Sequence, residues 1–311
     1  MTSQDTRTFR LGTRGSRLAL VQTARVRELL LRAHPELRNR LEVIAISTTG
    51  DQIKNRRLSE IGGKGLFTKE IEAALLDHSI DAAVHSMKDV ETIIPESLAI
   101  SCILSREDPR DVLFSHNSGG IHGLPKEAMI GTSSLRRQAQ MLGYRPDLRI
   151  IGFRGNVETR LKKFSDGEVD ATLLALAGLR RLGLKFDGQI LETTEMLPAL
   201  AQGAMGIQTR SNDKQVCDLF EPLQDTDSHF CITAERAMLR ALGGSCRTPI
   251  GGLAVCKGDQ IRLAAKLFST DGGKVFAIEK AGSVCDVVSI GQEAGENLRQ
   301  CVPPEILASL L

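Results

Sequence analysis

Short apolar runs and helix-spaced apolar positions follow one another along most of this chain. Phe9-Arg10-Leu11-Gly12-Thr13 reads as a strand that stops at Arg14-Gly15-Ser16. Ser16 is a good N-cap, and the spacing predicts a helix over 17–33, closed by His34-Pro35. Ala19, Gln22, Val26, Leu29, Leu30 and Ala33 share one face of it. A glutamine on that apolar face must find a partner inside. Leu41 to Ile46 reads as the next strand. A helix expected from near Leu66, with Phe67, Ile71, Ala74 and Leu75 on one face, leads into Ile80-Asp81-Ala82-Ala83-Val84. That run is small and apolar, as a buried parallel strand is, and it turns abruptly polar at His85-Ser86-Met87-Lys88-Asp89. In open α/β sheets ligands sit beyond the carboxyl ends of the strands, so this polar cluster is placed for chemistry.

After the strand Leu98 to Leu104, the charged stretch Arg106-Glu107-Asp108-Pro109-Arg110-Asp111 reads as a crossover, and the pattern then begins again. Met129-Ile130-Gly131-Thr132 ends in Gly-Thr like Gly12-Thr13, Ser133-Ser134 can cap a helix like Ser16, and Asp170-Ala171-Thr172-Leu173-Leu174-Ala175 echoes Asp81-Ala82-Ala83-Val84. The fold class predicted is α/β, with two lobes of similar build and a cleft between them. Pro198 to Ala204 carries the chain back, and Met205 to Thr209 reads as a strand returning to the first lobe. From about Thr226 the character changes. A helix over 228–242 ends at Gly243-Gly244, and three alternating stretches, 250–255, 261–268 and 273–278, predict an antiparallel sheet backed by a helix over 287–298. The expected domains are 1–104 with 204–221, 109–198, and 226–311.

Composition narrows the classes. Of 311 residues, 41% are hydrophobic and 25% charged, values of a soluble globular protein of more than one domain. A net charge of +2 argues against a broad nucleic-acid surface, and one Tyr with no Trp argues against base-stacking platforms. No apolar run is long enough to span a bilayer, and the polar first ten residues do not read as a secretory segment. The seven cysteines form no Cys-x-x-Cys and the six histidines show no ligand spacing, so no metal site is expected. Scattered thiols fit a reducing compartment, so cytoplasm is the expected location.

Charge placement carries the chemistry. Arg14, Arg136-Arg137, Arg154, Arg160 and Arg180-Arg181 all fall at predicted strand-to-helix turns. One Arg-Arg pair is ordinarily a solvated face; five such turns in a nearly neutral chain point to a polyanionic ligand, carboxylate or phosphate. Asp89 is then out of place, since an ionised carboxylate repels an anion. Its presence implies that positive charge develops on the substrate. The stretch 48–65 is long, polar, basic and glycine-punctuated, as a lid is, but lacks the phosphate-loop pattern. Cys246, in Gly243-Gly244-Ser245-Cys246-Arg247, sits beside a cation that favours its thiolate.

Seven motifs, in order, carry a resemblance: Gly12-Thr13-Arg14-Gly15-Ser16, Gly62-Gly63-Lys64-Gly65-Leu66-Phe67, His85-Ser86-Met87-Lys88-Asp89, Gly131-Thr132-Ser133-Ser134-Leu135-Arg136-Arg137, Phe153-Arg154-Gly155-Asn156, Ala201-Gln202-Gly203-Ala204 and Gly244-Ser245-Cys246-Arg247-Thr248-Pro249. Together they resemble the porphobilinogen deaminase (hydroxymethylbilane synthase) family. The resemblance implies two lobes of the type II periplasmic-binding-protein kind and a small α+β third domain. It implies a transferase of tetrapyrrole biosynthesis that adds four porphobilinogen molecules, each losing ammonia, to a dipyrromethane cofactor held by a thioether to Cys246, then hydrolyses off the linear product.

By the same match Asp89 is the catalytic residue. Ser16, Ser86, Lys88, Thr132, Ser134, Arg136, Arg137 and Gln202 are expected to hold the cofactor. Arg14, Gln22, Arg154, Asn156, Arg160 and Arg181 are expected on the substrate, and Lys64 on the lid. Partners expected are porphobilinogen alone, with no nucleic acid, membrane or metal, and the chain a monomer. Arg17 and Glu91 stand where the family usually has proline, which loosens a turn beside each site. The competing reading is a non-catalytic two-lobed anion receptor. It accounts for the arginines but gives Asp89, Cys246 and the third domain no task. A transcriptional sensor would need a DNA-binding helix pair, and none precedes the first lobe.

Overall fold

The computed structural model describes residues 7–52, 65–245 and 248–310. Within these the chain divides into two compact units: residues 7–52, 65–105 and 204–229 in one, 106–203 and 230–310 in the other.

In the first unit, strands β1 (Phe9–Arg14), β2 (Leu41–Ile46) and β3 (Ala82–Ser86) run parallel, with β1 in the middle, and β4 (Leu98–Ile103) lies at the far edge. Ser16 caps the Arg17–Ala33 helix as expected, its Oγ accepting from the Ala19 N–H at 3.3 Å. Val26 and Leu30 of that helix are fully buried against Leu11, Ala82 and Val84. After a short helix at Thr49–Gln52, the helix expected from near Leu66 starts at Lys69 instead, because 66–68 form a turn in which the Thr68 and Lys69 N–H groups both donate to Gly65 O.

In the second unit, β5 (Asp111–Ser115), β6 (Met129–Gly131), β7 (Arg149–Ile151), β8 (Ala171–Ala175) and β9 (Gln189–Ile190) form a sheet in the order β7-β6-β8-β5-β9. Sequence reading passed over β5, whose Asp-Val-Leu-Phe core is buried and antiparallel to both β8 and β9. The chain then enters β10 (Met205–Arg210), which completes the first sheet in the order β2-β1-β3-β10-β4 and runs antiparallel to both neighbours. The two sheets are thus the same arrangement: three parallel strands, then an antiparallel fourth. In each, that fourth strand is the one the chain enters soon after changing units. Gly206 on β10 is required by packing, since a Cβ there would stand 2.1 Å from Met87 Sδ.

The rest of the second unit is the antiparallel sheet β11 (Ile250–Lys257), β12 (Gln260–Phe268), β13 (Val275–Ser283), which is longer than the alternation predicts. The Thr226–Leu242 and Val287–Cys301 helices pack on it through Ala234, Met238, Leu242, Ile290, Ala294 and Leu298. A final helix, Pro304–Leu310, was not anticipated.

Residues 201–203 are held by charge within this unit. Glu235, wholly buried, accepts from Arg106 Nη1 at 2.6 Å, from the Ala254 N–H at 2.8 Å and from the Ala201 N–H. Ala201 sits at φ +59°, a left-handed conformation that only such surroundings keep in place for a residue with a Cβ. Arg106 also donates to Gln202 O at 2.9 Å. Replacing Arg106 with Leu strands a buried carboxylate, and the urea unfolding free energy is expected to fall by about 3–5 kcal/mol. A loss below about 1 kcal/mol, the range of an exposed pair, would show that the pair carries nothing.

Candidate active site

In the first unit the functional side chains come from the carboxyl ends of β1 and β3. Met87, buried and hydrogen-bonded through its N–H to Ala204 O at 3.0 Å, anchors the single 3₁₀ turn Met87–Asp89. Lys88 and Asp89 are carried half-buried on that turn. Among the described residues, Asp89 has one ion-pair partner: Arg14 Nη1, 3.7 Å from its Oδ2. Arg14 is spoken for elsewhere. Its Nε donates to Asp51 Oδ2 at 3.2 Å, and its guanidinium lies 4.2 Å over the Phe67 ring. Asp51 also accepts from Thr48 Oγ1 at 2.8 Å. Burial alone would raise the Asp51 carboxyl, but Arg14 and Thr48 hold it below the usual carboxylate range. Gln22 finds the partner that its buried position requires in Ser86, with Nε2 2.9 Å from Oγ. That bond spans from the first helix to the end of β3.

In the second unit the predicted residues gather on a residue that was not predicted. Asp111, the first residue of β5, is wholly buried. Its Oδ2 accepts from Arg136 Nη2 at 2.7 Å, and its Oδ1 accepts from Arg137 Nη2 at 2.7 Å and Gln202 Nε2 at 2.9 Å. Burial favours the protonated acid, but the two guanidiniums outweigh it and hold Asp111 ionised well below the ordinary carboxylate range. Arg136 Nη1 donates to Leu197 O at 2.7 Å and Arg137 Nη1 to Leu173 O at 2.9 Å, so both side chains are fixed at two points. Burial, and then the like charge of Arg137, push the Arg160 guanidinium down to about 10, against an opposing pull from Asp111.

The other predicted residues of this unit lie on or beside its helix ends. Ser134 caps the Leu135–Tyr144 helix and Asn156 the Val157–Ser165 helix; the buried Thr132 accepts from the Ser134 N–H at 3.1 Å. Arg154 is half-buried, and burial lowers its pKa. Arg181 donates to Gly203 O at 2.5 Å; burial lowers its pKa and Glu107 opposes this. Arg180 and Arg181 close a helix, Leu176–Arg181, rather than following a strand end, and Arg180 pairs with Glu107 at 2.8 Å. Lys64 and Cys246 lie outside the described residues. On either side of Cys246 the chain is tightly bonded: Gly243 at φ +79° ends the preceding helix, and the Ser245 N–H donates to Thr248 Oγ1 at 2.9 Å.

Arg136, Arg137 and Arg160 thus set three positive charges against the one carboxylate of Asp111. Buried Nε atoms of Arg136 and Arg160 have no acceptor among the described residues. That surplus of charge and of donors fits a group bearing carboxylates, as dipyrromethane does. Arg106 and Asp111 were missed because they lie in one charged stretch with no motif of its own, and Glu235 because it is a lone acid in the helix expected over 228–242. The one available signal was an Asp set directly before the apolar Val112-Leu113-Phe114. Among the described residues no cluster of His, Cys, Asp and Glu could hold a metal, and no helix is long and apolar enough to cross a membrane.

Two family models match the chain: porphobilinogen deaminase, dipyromethane cofactor binding domain, over residues 9–218, and porphobilinogen deaminase, C-terminal domain, over 229–300. A porphobilinogen deaminase of Paracoccus denitrificans is 49% identical over 298 residues, 96% of this chain and 95% of that protein. One from Nitrobacter winogradskyi is 48% identical over 291 residues, 93% of this chain and 92% of that protein. Some solved structures bear a more distant likeness to the chain. A periplasmic sulfonate-binding protein from Methylobacillus flagellatus is 14% identical with a TM-score of 0.39, over 76% of this chain and 68% of that one. With both models matched in order and nearly half the residues shared across most of its length, the chain belongs to the porphobilinogen deaminase family.

Proposed function

We infer that the chain is a transferase of tetrapyrrole biosynthesis that joins four porphobilinogen molecules head to tail, with loss of four ammonia molecules, and releases hydroxymethylbilane by hydrolysis. The dipyrromethane, attached through Cys246, supplies the nucleophilic pyrrole carbon to which the units are added. Every other demand falls on the chain. Loss of ammonia from the aminomethyl carbon leaves a cationic pyrrole, and Asp89 stabilises that cation and accepts from the pyrrole N–H. The observation that carries this assignment is the Arg14–Asp51 pair: Asp51 takes the guanidinium by hydrogen bond and leaves Arg14 standing 3.7 Å from Asp89. Asp89 is therefore left uncapped, and its side chain is 33% exposed.

Each pyrrole brings an acetate and a propionate. Arg136, Arg137 and Gln202, with Lys88, Ser86, Ser16, Thr132 and Ser134, hold those of the cofactor. Arg14, Gln22, Arg154, Asn156, Arg160 and Arg181 hold those of the incoming ring. Lys64 serves a lid over the site. The chain works as a monomer of three domains (1–104 with 204–221, 109–198 and 226–311) in the cytoplasm.

Intact mass tests the attachment: the chain incubated with porphobilinogen should carry a dipyrromethane adduct that Cys246→Ala lacks. A bare wild-type mass would reject the covalent cofactor. Asp89→Ala should still bind porphobilinogen yet release ammonia about 10²–10³-fold more slowly. Turnover within threefold of wild type would reject the role given to Asp89.

A further inference from the structure

We propose that Asp111 is a positioning residue for ligand carboxylates: it aims Arg136 and Arg137 and sets the net charge they present. The inference rests on the function proposed above and extends it to a residue that no motif marks. Three separate elements converge on this carboxylate: β5, which it opens; the Leu135–Tyr144 helix, through both arginines; and the 201–203 segment, through Gln202.

Two consequences follow from its geometry. The first concerns direction. Arg137 is held by Asp111 through Nε and Nη2 and by Leu173 O through Nη1; Arg136 is held by Asp111 through Nη2 and by Leu197 O through Nη1. Each guanidinium is planar with five N–H groups, so two fixed points leave its remaining donors pointing one way only. The Arg136 Nε is buried and left over by this arrangement. The second concerns charge. Asp111 cancels one of the three charges of Arg136, Arg137 and Arg160, leaving two. Two ligand carboxylates, one of the cofactor on Arg136 and Arg137 and one of the incoming ring on Arg160, then make the cluster neutral; without Asp111 it would keep an uncompensated buried cation, which is costly.

Asp111→Asn keeps the shape and one acceptor oxygen while removing the charge. The expected result is a folded chain with wild-type far-UV circular dichroism that acquires at least fivefold less covalent cofactor, by intact mass, in a fixed incubation with porphobilinogen. The fraction that does load is expected to show KM raised about tenfold with kcat within threefold, the loss of one well-placed ionic contact. A lowered melting temperature with wild-type loading and KM would reduce Asp111 to a structural role and overturn the proposal. If wild type itself carries no adduct, the functional reading fails instead, which keeps the two apart. Should Asp111→Asn not fold, arginine side-chain NMR of the wild-type chain still decides. The Arg137 Nε–H is expected to be slow to exchange both before and after loading, and the Arg136 Nε–H only after loading. Equal, fast exchange of both before loading would overturn the proposal.

Discussion

An acidic side chain shut away from water must find donors inside the protein, and in the second unit two such side chains fix what is nearby. Asp111 is bound by Arg136, Arg137 and Gln202; Glu235 is bound by Arg106 and two backbone N–H groups. Each would cost several kcal/mol if its partners were removed, so each locks the elements that supply them. Both reach the same short segment, 201–203, where Ala201 is held at φ +59° and a Cβ on Gly203 would lie 2.2 Å from Glu107 O. The segment through which the chain leaves the second unit is therefore tightly specified, and it carries Gln202 to the arginine cluster.

The repeated sheet explains where the chemistry falls. Three parallel strands bring their carboxyl ends to one edge in each unit, and helices begin immediately beyond them with capping side chains at Ser16, Ser134 and Asn156. One scaffold, used twice, serves opposite charges. In the first unit it displays Asp89 with its nearest cation diverted to Asp51; in the second it displays arginines in excess. For the reaction proposed above, an acid answers the transient cation and arginines answer the carboxylates of the substrate.

Much of this was legible in the chain. Cap and apolar face together marked the first helix from Arg17 to Ala33, and the buried Gln22 announced a partner that turned out to be Ser86. The return of the chain into the first sheet at Met205 was readable from its apolar pattern. What was not legible depended on residues far apart in sequence. Asp111 looked like one more charge in a crossover because its partners lie 25, 26 and 91 positions away. The strand it opens was hidden because its apolar run is only three residues between polar ends. Arg180, read with Arg181 as a ligand-facing pair, faces Glu107 instead, since the turn of a short helix separates their directions. Local pattern reports helix faces and caps well; it cannot report which distant acid a guanidinium will choose.

The chemistry turns on a carboxylate that stands ready for a pyrrole cation. A crystal structure of the chain carrying its cofactor would give the distance from the nearer Asp89 carboxylate oxygen to the closest pyrrole nitrogen. The expected distance is that of a hydrogen bond, about 2.7–3.2 Å. A separation beyond about 5 Å, with Asp89 paired to Arg14 instead, would contradict it.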